Sequence, residues 1–315
     1  MNKLAAKFYY YTLRQPAGKV GLDYLLRRQL SQETIHRFGL GYADQYSNSL
    51  YQYLKNKGYS DQLLKESGLV QADEKRGMYD KFWNRVIFPI MDIRNRVIGF
   101  GGRVMGDGKP KYLNSPETKV FDKSRNLYGL HLARLSRKPN IILCEGYMDV
   151  IAMHQAGFPQ AVASLGTAFT VQQSAILKRY TNEVLLTYDN DEAGVRAALR
   201  AIPILRDAGL SAKIINMEPY KDPDEFIKAM GAESFQKRID EAESSFSFEL
   251  RTMERQYDFE EPESKTAFYK ALSEKLLTYE QGIERNNYIQ AAAKRYHLGY
   301  EELSDMVNRI GKHLG

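Results

Sequence analysis

The spacing of apolar positions changes character along this 315-residue chain. Residues 1–70 have a helical rhythm and carry a faint duplication. "YLLRRQLSQETIHRFGL" (24–40) aligns with "YLKNKGYSDQLLKESGL" (53–69), matching Tyr24 with Tyr53, Ser31 with Ser60 and Gly39 with Gly68. Each copy predicts a helix, a Ser N-cap, a second helix and a Gly stop. Over 78–135 the period shortens. "RVIFPIMDIRNRVIGFGGRVM" holds β-rich runs broken by Pro, Asn and Gly, which predicts a hairpin or small mixed sheet. "PKYLNSPETKVFDKSRNLYGL" predicts an irregular exposed loop.

From 139 to about 230 continuous apolar strands alternate with helices: "NIILCEG", "QAVASLG", "EVLLTYD" and "SAKIINM", with a capping box at Thr170 and Gln173. That alternation predicts a parallel sheet with helices on both faces. Beyond 231 the pattern is helical again, with Tyr, Leu and Ile stripes that suit the core of a bundle. The expected organisation is therefore an α+β segment (1–137), an α/β domain (138–230) and a C-terminal helical subdomain (231–315).

Charge sharpens the picture. The chain carries +6 overall, but residues 76–138 hold fourteen Lys/Arg against five Asp/Glu, a balance of +9 that leaves −3 for the remainder. A basic block of this density suits a polyanion. The single cysteine, Cys144, excludes an intramolecular disulfide and a Cys-based zinc site, and makes a cytoplasmic location the expectation. No run approaches the roughly 18 apolar residues of a membrane span.

Acids fall where the α/β pattern ends its strands. Glu145 follows "NIILC", with Asp149 one turn later. Asp189 and Asp191 follow "EVLLTY". Asp222 and Asp224 follow the fourth strand in "KDPDEF". Ligands of open parallel sheets bind beyond these strand ends. Two carboxylates about 4 Å apart repel by roughly 4 kcal/mol at an effective dielectric near 20. An all-oxygen set without His or Cys favours a hard ion, Mg²⁺ or Mn²⁺. Partial ligation completed by water and phosphate suits phosphoryl transfer.

Plainer roles compete. Asp222 before Pro223 reads equally as an N-cap with proline at the first helical position. Asp191 and Asp149 could cap helices. Asp189 has no structural role in the sequence. No P-loop and no G-x-G-x-x-G motif is present. The five histidines are scattered, and Cys144 sits inside an apolar strand.

"CEGYMD", "YDNDEAG" and "DPDEF" resemble the Toprim fold. With "RVIFPI", "VIGFGGR", "PKYLNSPET" and "FDKSRNLYGL", they resemble the catalytic core of bacterial DnaG-type replicative primases over nearly the whole chain. The resemblance implies a central Toprim-like parallel sheet and an RNA polymerase that makes short primers on single-stranded DNA from ribonucleoside triphosphates. It implies Glu145, Asp189 and Asp191 as catalytic, metal-binding acids and Asp149, Asp222 and Asp224 as secondary ones. More than one Mg²⁺ or Mn²⁺ is expected. Glu145 is left as either ligand or general base. Arg85, Arg103, Lys111, Asn114 and Lys123 match nucleotide- and template-binding residues. Arg103 stands out because Gly99, Gly101 and Gly102 would let a substrate approach.

Further expectations follow. They are an RNA–DNA hybrid product, a monomer in the replisome, and no membrane. The family's zinc-binding and helicase-binding domains are expected to lie outside this chain. A strand-cleaving Toprim enzyme is a second reading. A passive single-strand binder with Tyr79, Phe82, Trp83, Tyr112 and Tyr128 as stacking platforms is a third.

Overall fold

Both copies of the N-terminal repeat form as their capping signals require. In this computed structural model, which describes residues 1–280 and 282–314, α1 (Asn2–Leu13) precedes α2 (Lys19–Arg27) and α3 (Gln32–Arg37), then strand β1 (Gly41–Ala43). The second copy gives α4 (Ser49–Asn56), α5 (Asp61–Glu66) and β2 (Val70–Asp73). Ser31 Oγ accepts the Thr34 amide and Ser60 Oγ the Leu63 amide. Gly39 and Gly68 end the second helices with φ of +63° and +74°, conformations that only glycine takes cheaply.

β2 pairs with β3 (Gly77–Asp80). Strands β4 (Arg85–Met91), β5 (Val97–Val104) and β6 (Tyr112–Asn114) join β1 in the order β1-β4-β5-β6. β4 and β5 form the hairpin that was one of the two expectations, and since every pair is antiparallel the sheet is not mixed. The β4/β5 turn, with Asn95 at φ +60°, is too short to do other than reverse the chain.

After α6 (Leu130–Ala133) come β7 (Ile141–Cys144), α7 (Tyr147–Gln155), β8 (Ala161–Ala163), α8 (Val171–Leu177), β9 (Glu183–Leu186), α9 (Glu192–Asp207), β10 (Ser211–Ile214) and α10 (Pro223–Asp240). The pairs β10/β9, β9/β7 and β7/β8 are all parallel. A two-residue strand, Glu243–Ser244, lies at the β10 edge. Since β8 and β9 flank β7 on opposite sides, the strand order reverses at β7, and a crevice opens beyond its carboxyl end.

The chain divides into two compact units, Met1–Glu243 and Ser244–Gly315. The division differs from the sequence reading in two ways. The α+β and α/β segments share one core, where Phe88, Phe121 and Tyr128 meet Ile142, Tyr147 and Ile151. The second unit begins at 244 rather than 231, because Phe235 and Ile239 are buried in the first unit's core. Gly231, at φ +84°, interrupts α10 without ending it. The second unit packs α11 (Ser245–Glu254), α12 (Pro262–Leu277), α13 (Gly282–Tyr296) and α14 (Tyr300–Leu314) around Phe268, Leu272, Ile289 and Val307.

Buried histidines give the first unit an acid sensitivity. His154 on α7 donates from Nε2 to the Ala161 carbonyl at 2.8 Å and meets Phe38 edge-on. Burial pulls its pKa down to about 4. Above about pH 6.5 the ring is neutral in both folded and unfolded chains. Between about pH 6.5 and about pH 4 only the unfolded chain takes the proton, so stability falls by up to about 1.4 kcal/mol per pH unit. His154→Gln, which keeps a donor, is expected to flatten the pH dependence of denaturant unfolding in this window. A slope equal to that of the parent chain would contradict it.

Candidate active site

The rim beyond β7 and β9 collects the acids. Glu145 directly follows β7, and its Oε1 accepts the Asp189 amide at 3.3 Å, which ties the two strand ends together. Burial first and the Asp189 charge second push the Glu145 carboxyl above its usual range. Asp189 is raised in the same way, by burial and then by Asp222, against the opposing pull of Lys221. Asp149, in the first turn of α7, is raised well above the carboxylate range. Burial is the main cause, followed by Asp222, Asp189, Asp224 and Glu145. One side chain therefore senses acids from all three chain segments.

The capping roles hold as well. Asp191 Oδ1 accepts the Gly194 amide at 2.8 Å as N-cap of α9. Asp222 Oδ1 accepts the Glu225 amide at 2.8 Å, with Pro223 at the first helical position of α10. Each cap uses one carboxylate oxygen. Asp189 does have a structural partner, contrary to the sequence reading: Lys221 Nζ stands 3.4 Å from its Oδ2. Asp224 is turned to other work. Its side chain, 8% exposed, pairs with Arg28 at 2.7 Å and Lys228 at 2.8 Å.

Among the described residues no three His, Cys, Asp or Glu side chains form a ready-made metal cage. The donor set nonetheless suits a hard divalent ion. It is all oxygen, its members repel one another, and Lys221 already places a cation against Asp189. Mg²⁺ is commonly held by one or two carboxylates with water and phosphate completing its shell, so a partial cage fits that use.

Basic residues gather on the antiparallel sheet and its loops. Arg85 on β4 donates to the Gly102 and Lys111 carbonyls. Burial, then Lys123 and Arg85, hold the Lys81 ammonium below its ordinary value, so these three cations share one neighbourhood. The Lys123 turn is held by α8: Gln173 Nε2 donates to the Lys123 and Asn126 carbonyls, and Thr170 Oγ1 to that of Ser124. Lys111 is exposed on the loop before β6. The Arg103 guanidinium stacks on Tyr24 at 4.7 Å.

The glycines preceding Arg103 serve internal packing, contrary to the substrate approach expected of them. A Cβ at Gly101 would meet the Tyr147 ring at 2.5 Å, one at Gly102 would meet Phe82, and one at Gly99 would meet Phe121. These glycines admit the protein's own aromatic rings, not a substrate. Of the proposed stacking platforms, Phe82 and Tyr128 are buried, which leaves Trp83 (37% exposed) and Tyr112 (40%) as the well-exposed rings, with Tyr79 half-buried.

Asn114 bridges the two sheets. Its Oδ1 accepts the Tyr147 hydroxyl and its Nδ2 donates to the Leu165 carbonyl at 3.0 Å, so both ends of the amide are engaged within the chain. The Tyr147 ring stacks on Phe88 and meets Tyr128 edge-on. Tyr147→Phe is expected to cost about 1–2 kcal/mol. Asn114→Ala added to it should then cost much less than Asn114→Ala alone. Additive losses in thermal unfolding would contradict the bridge.

Sequence reasoning passed over Lys81, Arg28, Lys221, Lys228 and Tyr147. Lys221 was detectable beside Asp222 in "KDPDEF". Arg28 was not, since 196 residues separate it from Asp224.

Comparison with known proteins places this geometry. Residues 142–227 match the Toprim-like family and residues 8–134 the N-terminal domain of the DNA primase catalytic core. The class is thus a Toprim-type enzyme core. A DNA primase of Clostridium acetobutylicum is 40% identical over 309 residues, 98% of this chain and 51% of the relative. That of Escherichia coli K12 is 39% identical over 264 residues, covering 82% of this chain and 45% of the relative. A primase domain from Pseudomonas aeruginosa superposes with TM-score 0.85 at 34% identity, covering 98% of both chains. A DnaG catalytic domain bound to single-stranded DNA gives 0.83 at 34% identity, covering 95% of this chain and 96% of that one. The chain belongs to the DnaG primase catalytic-core family. It spans about half the length of the curated relatives it matches.

Proposed function

We propose that this chain copies single-stranded DNA into short RNA primers, joining ribonucleoside triphosphates at the rim beyond β7 and β9. The observation that most supports this is the convergence of acids from three chain segments on Asp149, in a chain that also gathers Lys81, Arg85 and Lys123 in one neighbourhood. Glu145, Asp189 and Asp191 would hold Mg²⁺ or Mn²⁺, with Asp149 and Asp222 as secondary acids of the rim. When bound, such ions neutralise the triphosphate and lower the pKa of the attacking 3′-hydroxyl.

The chain's own residues do the rest. Lys81, Lys111 and Lys123 attract phosphate oxygens as point charges. Arg85 and Arg103 are already engaged within the chain, so they act by holding the Lys111 loop and the Tyr24 face, with any free donor turned to phosphate. Asn114 and Tyr147 keep the basic sheet in register with the acidic rim. Trp83 and Tyr112 offer surfaces on which template bases stack. Asp224 acts by positioning Arg28 and Lys228. The working state is read as a monomer of the cytoplasmic replication machinery, carrying template and a nascent RNA–DNA hybrid. Helicase contact would be made through another domain of the longer relatives.

The test is incubation of the chain with a single-stranded template, labelled ribonucleoside triphosphates and Mg²⁺ or Mn²⁺. Template-complementary RNA is the expected product. Nicked template, or binding without product, would overturn the reading.

A further inference from the structure

A cavity of about 230 Å³ lies among α1, the end of α3, the β4 and β5 strands and α6, and shares no residue with the acidic rim or the basic groups above. Its walls mix apolar side chains, cations and the hydrogen-bonded pair Tyr10 and His36. Ala6, Phe38, Pro89, Met91 and Val97 make an apolar lining. Lys3, Lys7 and Arg37 are exposed around it, no Asp or Glu lines it, and none of the three cations is ion-paired among the described residues. His131, on the same wall, is 7% exposed, and its Nδ1 has no hydrogen-bond partner among the described residues.

Three unpaired cations around one small cavity repel one another. An anion would relieve that repulsion, while the apolar lining calls for a ligand with an apolar body. We propose that this cavity binds a small amphiphilic acid: one ring or short chain carrying a single carboxylate or phosphate. The apolar part would lie against Ala6, Pro89 and Met91, with the acid group among Lys3, Lys7 and Arg37. The volume is below the range of pockets that take drug-sized ligands, so a whole nucleotide is not the expected occupant.

The probe is benzoate, titrated into the whole chain labelled at methyl groups and followed by NMR. Saturable shifts at the Ala6, Met91 and Val97 methyls are expected. Benzyl alcohol and acetate, which each lack one half of the chemistry, should bind at least about tenfold more weakly. Lys7→Glu/Arg37→Glu, at exposed positions, should weaken benzoate about tenfold or more with the amide spectrum otherwise unchanged. Ala6→Leu should block the cavity. Absence of saturable shifts at these methyls, equal binding of benzyl alcohol, or unchanged affinity in the charge-reversal variant would overturn the assignment. If Ala6→Leu fails to fold, the charge-reversal variant alone decides.

Discussion

Asp189→Asn/Asp191→Asn is expected to lower primer synthesis by about a thousandfold or more, while the metal-free protein melts no lower than the parent chain. The two effects have one cause. Asn is as good an N-cap as Asp, so the Gly194 amide keeps its acceptor. Asp189 loses its ion pair with Lys221, but that pair is solvent-facing on the lysine side and weakened by water. Against this, two negative charges leave a rim where burial and mutual repulsion already push Glu145, Asp189 and Asp149 upward. Repulsion relieved outweighs the pair lost. Primer synthesis by the double variant would remove these acids from the chemistry. A large fall in melting temperature would instead make them structural.

Gly194→Ala should be the most damaging single-methyl change at the site. The substitution normally favours a helix by about 1 kcal/mol. Here the added Cβ would fall 1.8 Å from the Asp189 carbonyl oxygen, a backbone atom with no rotamer to escape into. The turn carrying Asp189 and Asp191 has to shift, and the Gly194 amide that anchors Asp191 shifts with it. A displacement of about 1 Å at a reacting centre is worth about a hundredfold in rate. We expect at least that loss in primer yield and a clear fall in melting temperature. Parent-like activity would show that the turn is not held as described.

Much of this was legible in the sequence because local signals and global fold agree. Ser31 and Ser60 cap where their spacing required, and the four apolar runs became the four parallel strands. The acids could be placed at the strand ends because a βα alternation fixes where strands stop. The role of the glycines was not legible. "GFGG" marks a close approach, but only the packed sheet shows that Tyr147, Phe82 and Phe121 make it. The Asp224 pairs were hidden because Arg28 comes from the first helical repeat. The end of the first unit was misplaced because the helical pattern beyond 231 reads as one continuous bundle, whereas the burial of Phe235 and Ile239 assigns its first helix to the preceding core.

The most direct test is to soak crystals of the chain with Mn²⁺ and locate the ion by its anomalous scattering. A peak liganded by the carboxylates of Glu145 and Asp189 is the predicted result. Manganese bound elsewhere, with those two side chains left unliganded, would contradict it.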